Sequence, residues 1–294
     1  MYLFQRIEEL MLECQDTRYF IGEFLLKEKA KFYKYSMDDI AKLTHTSKST
    51  LVRFAKSLGF HGWKDFYVAM IDEAKYLESN NTTVDVNFPF HENDSYRKVI
   101  DTISRLQIES IKDTSELINE KMLELAVIRI SKARRIIIFG MKPNSYYAES
   151  LQWKFLSIGV QMYVGSPGEL GMLSKLLTKE DCAIMISYAG NSHKEPVTYI
   201  DTLKSQGVPM IGITSLGDNY MRQNIDCIFS ISSREKLYSK IATFSTEQSI
   251  MFIFNVLYSC YFKKEYHKNL KYKIENSKTL EKSRKAIISS MQEI

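Results

Sequence analysis

Cys182 to Pro196, CAIMISYAGNSHKEP, changes character in its middle, and that change limits what the chain can fold into. Cys182, Ala183, Ile184, Met185 and Ile186 form a short apolar run, the pattern of a strand buried on both faces of a parallel sheet. Ser187, Tyr188, Ala189, Gly190, Asn191 and Ser192 then supply small and hydroxyl side chains, and Glu195-Pro196 opens a segment of helical spacing. A strand that passes through a small-residue turn into a helix directs backbone N–H groups and a positive dipole end outward, which makes an anion cradle. Such turns also use Gly, Asn and Ser for geometry alone. The rest of the chain has to decide between the two.

Strand and helix alternate around this stretch. Apolar runs at Arg135 to Phe139, Val160 to Val164, Met210 to Thr214 and Cys227 to Ser230 read as strands, with helices through Tyr146 to Ile158 and Val197 to Gln206. Alternation at this spacing predicts right-handed βαβ units and a central parallel sheet. Five short strands suggest a flavodoxin-like order, in which ligands bind beyond the carboxyl ends of the strands. A second loop, Gly140-Met141-Lys142-Pro143-Asn144-Ser145, lies at such an end. It is neither a Walker loop nor a GxGxxG fingerprint, and alone it reads as a plain strand-to-helix turn.

Helical segments are expected from Ser95 to about Leu117 and from Asn119 to Lys132. Thr243 to Phe262 is apolar on nearly every face, so it must be covered on all sides, by the sheet or by a second subunit. The basic stretch after Phe262 reads as a solvated terminal helix. Ser79 to Asp94, rich in Asn and Thr and containing Pro89, reads as a linker.

The chain of 294 residues, 45% apolar and 26% charged, is ordinary globular material long enough for two domains. Cys14, Cys182, Cys227 and Cys260 are widely spaced, with no CxxC pair and no Cys/His cluster of metal-ligand spacing, and read as reduced thiols. Glu8, Glu9, Glu13 and Asp16 interrupt the start where a signal peptide would be basic and apolar. The longest apolar run, Ile250 to Phe262, falls short of the ~20 residues of a membrane span. A soluble cytoplasmic protein is expected, with no membrane partner, metal or cofactor.

From Leu3 to about Ser79 the apolar residues recur at helical spacing, which predicts an all-helical domain. Ser36 with Asp39 resembles a capping box that starts a short helix with Ile40, Ala41 and Leu43 facing inward, Thr44, His45 and Thr46 make a turn, Ser47 can cap a second helix, and Gly59 suits a left-handed C-terminal cap. In that second helix Leu51, Val52, Ala55 and Leu58 would face inward, leaving Lys48, Ser49, Thr50, Arg53, Lys56 and Ser57 outside. Between Lys27 and Lys64, nine basic residues stand against three acidic ones, an excess larger than the +5 of the whole chain. Two short helices, a tight turn and a basic second helix describe a helix-turn-helix, with Ser47, Lys48, Ser49, Thr50 and Arg53 facing bases and phosphates and Lys56 nearer the backbone. A merely solvated basic face is the alternative.

The ordered run from Ile40-Ala41 through Ser47, Thr50 and Arg53-Phe54 to Leu58-Gly59-Phe60 and Gly62 resembles the helix-turn-helix of the RpiR family of bacterial sugar-responsive regulators. His45 stands where that family often has Gly, and His is among the residues that tolerate positive φ. The two polar loops together resemble those of the SIS, or sugar isomerase, domain, which follows the helix-turn-helix in RpiR-type proteins. The family's SxSGET-like loop is represented by Ser187 to Ser192, keeping Ser187, Gly190 and Ser192 but with Ala189 and Asn191 substituted. Its GxGxS loop keeps Gly140, with Lys142 at the second Gly and Asn144 beside Ser145 at the Ser.

The resemblance implies residues 1–79 as a DNA-binding domain, 80–94 as a linker and 95–294 as a phosphosugar-sensing and dimerisation domain. It implies a regulator that binds double-stranded operator DNA as a homodimer or homotetramer. The phosphosugar effector would be held by Lys142, Asn144, Ser145, Ser187, Tyr188, Ala189, Gly190, Asn191 and Ser192. A phosphosugar isomerase with a helical assembly module is the alternative, and a domain kept only as a dimerisation scaffold is a third reading. For an isomerase the candidate bases are His193, Glu195, Glu235 and Glu247, but no spacing among them compels a mechanism. No catalytic residue is assigned.

Overall fold

The computed structural model describes residues 3–14, 16–79, 84–217, 219–232, 234–236 and 238–280. The N-terminal part is all-helical: α1 (Leu3–Glu13), α2 (Thr17–Lys27), a 3-10 turn (Lys29–Lys34), α3 (Met37–Leu43), α4 (Lys48–Ser57) and α5 (Trp63–Ser79). Ile7, Ile21, Leu25, Phe32, Ile40, Leu51, Phe54, Phe66 and Met70 form its core. α3 starts at a capping box, in which the Asp39 N–H donates to Ser36 Oγ and the Ser36 N–H donates to Asp39 Oδ2. In α4 the buried stripe is Leu51, Phe54, Ala55 and Leu58, while Val52, expected inside, is only half-buried, and in α3 Ile40 and Ala41 are buried but Leu43, expected inside, is exposed.

The turn between α3 and α4 is a Schellman motif. The Thr46 N–H donates to the Ala41 carbonyl at 2.8 Å and the His45 N–H to the Lys42 carbonyl at 3.2 Å. His45 occupies the left-handed position, at φ 50°. α4 ends in the same motif, with Gly59 at φ 84°.

Beyond the N-terminal helices come α6 (Tyr96–Leu117), capped by Ser95, and α7 (Glu120–Lys132), capped by Asn119. Strands and helices then alternate: β1 (Ile136–Gly140), α8 (Asn144–Leu156), β2 (Met162–Val164), α9 (Leu170–Leu176), β3 (Cys182–Ile186), α10 (Ile200–Ser205), β4 (Met210–Ser215), α11 (Tyr220–Asn224) and β5 (Cys227–Ile231). α12 (Phe244–Lys264) and α13 (Tyr266–Leu280) follow. Sequence periodicity named no helix at α9 or α11, which at seven and five residues are too short to show one.

Among the described residues the strands form one all-parallel sheet in the flavodoxin-like order β2-β1-β3-β4-β5. Both faces are buried, so the strands read as continuous apolar runs. In β1, Ile136 and Ile138 pack with α7, α8 and α12, and Ile137 and Phe139 with α9, α10 and α11. Arg135 at the entry to β1 donates to Asp181, at the entry to β3, through Nε at 3.0 Å and Nη2 at 2.8 Å. That guanidinium holds the Asp181 carboxyl well below the usual carboxylate range.

α12 lies inside the chain's own structure, against α6, α7 and α8. Its buried hydroxyls pair with α6: Ser110 Oγ donates to Ser245 Oγ and Thr114 Oγ1 to Ser249 Oγ, each at 2.8 Å. No helix among the described residues is long and apolar enough to cross a membrane. The cysteines are free, and burial pushes the Cys182 thiol up to about 12 and the Cys227 thiol up to about 11.

A β-branched side chain resists positive φ. His45→Val is therefore expected to destabilise the protein by about 1–2 kcal/mol, whereas His45→Gly stays within about 1 kcal/mol of wild type, because relieved strain offsets lost chain stiffness. Urea unfolding of the three proteins checks this; equal stability of His45→Val and wild type would contradict it.

Candidate functional site

Two regions meet the chemistry expected from the sequence. The first is the outer face of α4. Ser47 is its N-cap, with Oγ accepting from the Thr50 N–H at 3.2 Å. The same Oγ lies 2.7 Å from Ser49 Oγ and 2.9 Å from Thr50 Oγ1, and Arg53 Nη2 donates to Thr50 Oγ1 at 3.3 Å. Ser47, Lys48, Ser49, Arg53 and Lys56 are exposed and Thr50 is half-buried, so the structure brings all six onto one solvated helix face.

Lys48 Nζ is held 2.8 Å from Asp38 of α3. Both side chains are more than half exposed, and a pair so solvated is worth about 0–1 kcal/mol, so Lys48 leaves it at little cost.

The second region is the carboxyl edge of the sheet. β1 and β3 are adjacent, with Gly140 opposite Ile186 in the ladder, although β2 lies between them in sequence. The order reverses here, so the loops after β1 and β3 diverge to opposite faces and leave a crevice, the usual ligand position in an open parallel sheet.

On the β1 side, Lys142 is exposed, its ammonium 5.2 Å from the Tyr146 ring centroid. Its hydrogen bond with Tyr146 raises its pKa. Asn144 opens α8, a 13-residue helix with no side-chain cap, whose positive end faces the loop. Ser145 is buried, and its N–H donates to the Met141 carbonyl.

On the β3 side, the Ser187 N–H donates to the Ile213 carbonyl and its Oγ accepts from the Gly190 N–H at 3.3 Å. Tyr188 donates its hydroxyl to the Glu235 carbonyl at 2.8 Å. Ala189, Asn191 and Ser192 are half-buried around the turn, and the Asn191 carbonyl accepts from the Lys194 N–H. Gly190 sits at φ 65°, where a Cβ would meet the Asn219 side chain at 2.5 Å. Only glycine fits there.

One expectation is corrected. No α-helix starts directly after Ser192: residues 193–196 form turns, Val197–Tyr199 is a 3-10 turn, and α10 begins only at Ile200. Pro196, which lacks an N–H, and the short 3-10 turn delay the helix. The helix dipole at this edge comes from α8, and the β3 loop contributes side chains and turn amides.

The structure also adds residues from β4 that periodicity treated only as strand. Thr214 Oγ1 and the Ser215 N–H both donate to the Tyr188 carbonyl, at 3.2 Å each. Ser215 is fully buried at the carboxyl end of β4, with no hydrogen-bond partner for Oγ among the described residues. A hydroxyl at the carboxyl end of β4 was the available signal.

The candidate bases do not converge on one site in the described structure. Buried Glu235 accepts from the Ser245 and Thr246 N–H groups at 2.6 and 3.0 Å, so it caps α12. Glu247 lies in the first turn of α12, and His193 and Glu195 are exposed on the turns that follow β3. No group of His, Cys, Asp and Glu that could hold a metal occurs among the described residues.

Residues 1–76 match the family model of the helix-turn-helix domain, rpiR family, and residues 129–259 that of the SIS domain. An uncharacterised HTH-type transcriptional regulator of Clostridium perfringens is 22% identical over 281 residues, 95% of this chain and 99% of that protein. The fold is shared with the Vibrio vulnificus NanR protein complexed with ManNAc-6P, at TM-score 0.60 and 18% identity, covering 95% of this chain and 97% of that one. It is also shared with the sugar isomerase domain of an RpiR transcription factor from Sphaerobacter thermophilus, at TM-score 0.52 and 19% identity over 62% of this chain and 99% of that one.

Gly190→Ala puts a side chain into the left-handed region and against Asn219. It is expected to lower stability by about 2 kcal/mol or more. Thermal unfolding beside Gly168→Ala, where a Cβ meets nothing within 4 Å, is the check; equal losses would remove the packing argument.

Proposed function

The chain belongs to the RpiR-type transcription regulators, with an rpiR-family helix-turn-helix domain followed by a SIS domain, and from that premise we propose that it binds operator DNA through α4 under the control of a phosphosugar. The effector is held at the crevice between the loops after β1 and β3. This architecture is that of a regulator rather than an enzyme, in keeping with the use of Glu235 as a helix cap.

The observation that carries the reading is the switch-point crevice. It joins a cation (Lys142), an uncapped helix N-terminus (α8) and loop hydroxyls (Ser187, Ser192). Cation, dipole and oriented N–H groups suit a phosphate, and neighbouring hydroxyls suit a sugar. Because NanR, which shares the fold, is complexed with ManNAc-6P, amino-sugar 6-phosphates head the effector panel.

On the DNA side, α4 enters the major groove by its N-terminal residues, with Arg53 reading bases and Lys48 and Lys56 meeting phosphates. Two copies would place their α4 helices about 34–36 Å apart on an inverted repeat. The effector alters binding by favouring one arrangement of the dimer.

Two experiments test the halves. Arg53→Ala should weaken binding to the duplex upstream of the gene about tenfold or more, with its melting temperature unchanged. Fluorescence anisotropy at two salt concentrations, against an unrelated duplex of equal length, provides the measurement. Unchanged affinity removes Arg53 from the interface, and equal weak binding of both duplexes by wild type ends the DNA-binding reading.

For the effector, wild type at a ligand concentration 100 times Kd gains about 2.7 kcal/mol. Ser187→Ala combined with Ser192→Ala should gain nothing in the same thermal-shift screen of hexose and amino-sugar 6-phosphates, ManNAc-6P included. A retained shift would put the ligand elsewhere.

A further inference from the structure

Hydrogen bonds run from the ligand loop to the chain that joins the helix-turn-helix to the second domain. Tyr188, after β3, donates to the Glu235 carbonyl at 2.8 Å, and the Lys240 ammonium lies 5.6 Å from the Tyr188 ring centroid. Both partners belong to the strap between β5 and α12. The root of that strap is fixed to α6: Ser232 Oγ and Arg234 Nη2 donate to buried Asp113 at 3.1 and 2.6 Å. Its middle is fixed to α12 by the Glu235 carboxylate, which also accepts from Thr246 Oγ1 at 2.8 Å and Lys240 Nζ at 3.4 Å.

The same strap grips Asn87. The Lys236 N–H donates to Asn87 Oδ1 at 2.7 Å, the Ile241 N–H donates to the Asn87 carbonyl at 2.9 Å, and Asn87 Nδ2 reaches the Arg234 carbonyl at 3.5 Å. Asn87 is 8% exposed. Asp85 Oδ1 accepts from the Asn87 and Phe88 N–H groups and shapes the turn that presents it. Val84 and Val86 seat this segment against Leu106 and Phe244.

We infer that Asn87 is the positioning residue through which occupancy of the loop after β3 reaches the DNA-binding domain. This inference rests on the reading of the chain as an effector-controlled DNA-binding protein. Tyr188 and Asn87 hold opposite sides of one short strap whose root and middle are pinned. A packed element so constrained passes between discrete arrangements instead of yielding gradually. Ligand that moves Tyr188 therefore changes the grip on Asn87, and with it the seating of residues 84–88. Asn87 lies outside α4 and outside the loops after β1 and β3, so its removal acts on the coupling between them.

The test uses the full chain. Operator Kd is measured with and without ManNAc-6P, inorganic phosphate being the control, for wild type, Asn87→Ala and Asn87→Asp. A wild-type ratio of about 5 to 150 is the usual range for such coupling. In Asn87→Ala the ratio should fall to about 1, with the ligand-free operator Kd and the ligand-induced melting shift close to wild type. Asn87→Asp keeps the acceptor for the Lys236 N–H but loses the Nδ2 donor to the Arg234 carbonyl, so its ratio should lie between those of Asn87→Ala and wild type.

A second arm needs neither DNA nor ligand: in Tyr188→Phe, amide exchange at residues 86–88 and at Lys236 should quicken about tenfold. A wild-type ratio in Asn87→Ala, or unchanged exchange in Tyr188→Phe, overturns the inference. If no sugar phosphate alters wild-type operator binding, the effector reading fails, and the exchange arm alone decides whether Tyr188 and Asn87 are linked.

Discussion

The ladder between β1 and β3 is the constraint on which the second domain rests. Cys182, Ala183, Ile184, Met185 and Ile186 pair in register with Ile136 to Gly140, although two helices and an edge strand separate them in sequence. That pairing forces the next crossover to the opposite face of the sheet, because parallel connections are right-handed. The crevice at the carboxyl ends follows from it. So does the division of the core, with α6, α7, α8 and α12 serving one face and α9, α10 and α11 the other. The Arg135 and Asp181 pair fastens the amino ends of the same two strands, leaving the carboxyl ends to differ in loop chemistry.

Buried polar groups are concentrated where the two halves of the chain are joined. Hydroxyls of α6 and α12 satisfy one another in pairs, and the Asp113–Arg234 ion pair binds α6 to the strap before α12. Polar contacts in a low-dielectric interior are costly when half-made, so they specify one arrangement more sharply than apolar packing does. These bonds surround the segment 84–88 and the Tyr188 loop. The surroundings of residues 84–88 are therefore built from directional interactions, and the sheet behind them from non-directional ones.

Much of the helix-turn-helix could be read directly. Its signals are local: a capping box at Ser36 and Asp39, a cap at Ser47, a left-handed C-terminal cap at Gly59, and His45 at φ 50° where glycine would be easier. Two positions were misjudged, Val52, half-buried where Phe54 points inward, and Leu43, exposed where Ile40 and Ala41 are buried, because a helix stripe predicts a face but not how far a neighbouring helix covers it. In the second domain the apolar strands were visible as runs, while α9 and α11 were too short to display a period.

Sequence alone determined the elements whose causes lie within a few residues: caps, turns, buried strands, the basic face of α4 and the small polar loops after β1 and β3. Local backbone chemistry sets these. Tertiary structure decided which loops became neighbours, that α12 is covered within the chain, that Glu235 caps a helix, and that Ser215 is fully buried. It also decided that Asn87 meets Lys236, 149 residues away. Such contacts form only after the sheet order and crossovers are fixed, and no local pattern records them because each partner looks like ordinary loop until the other arrives.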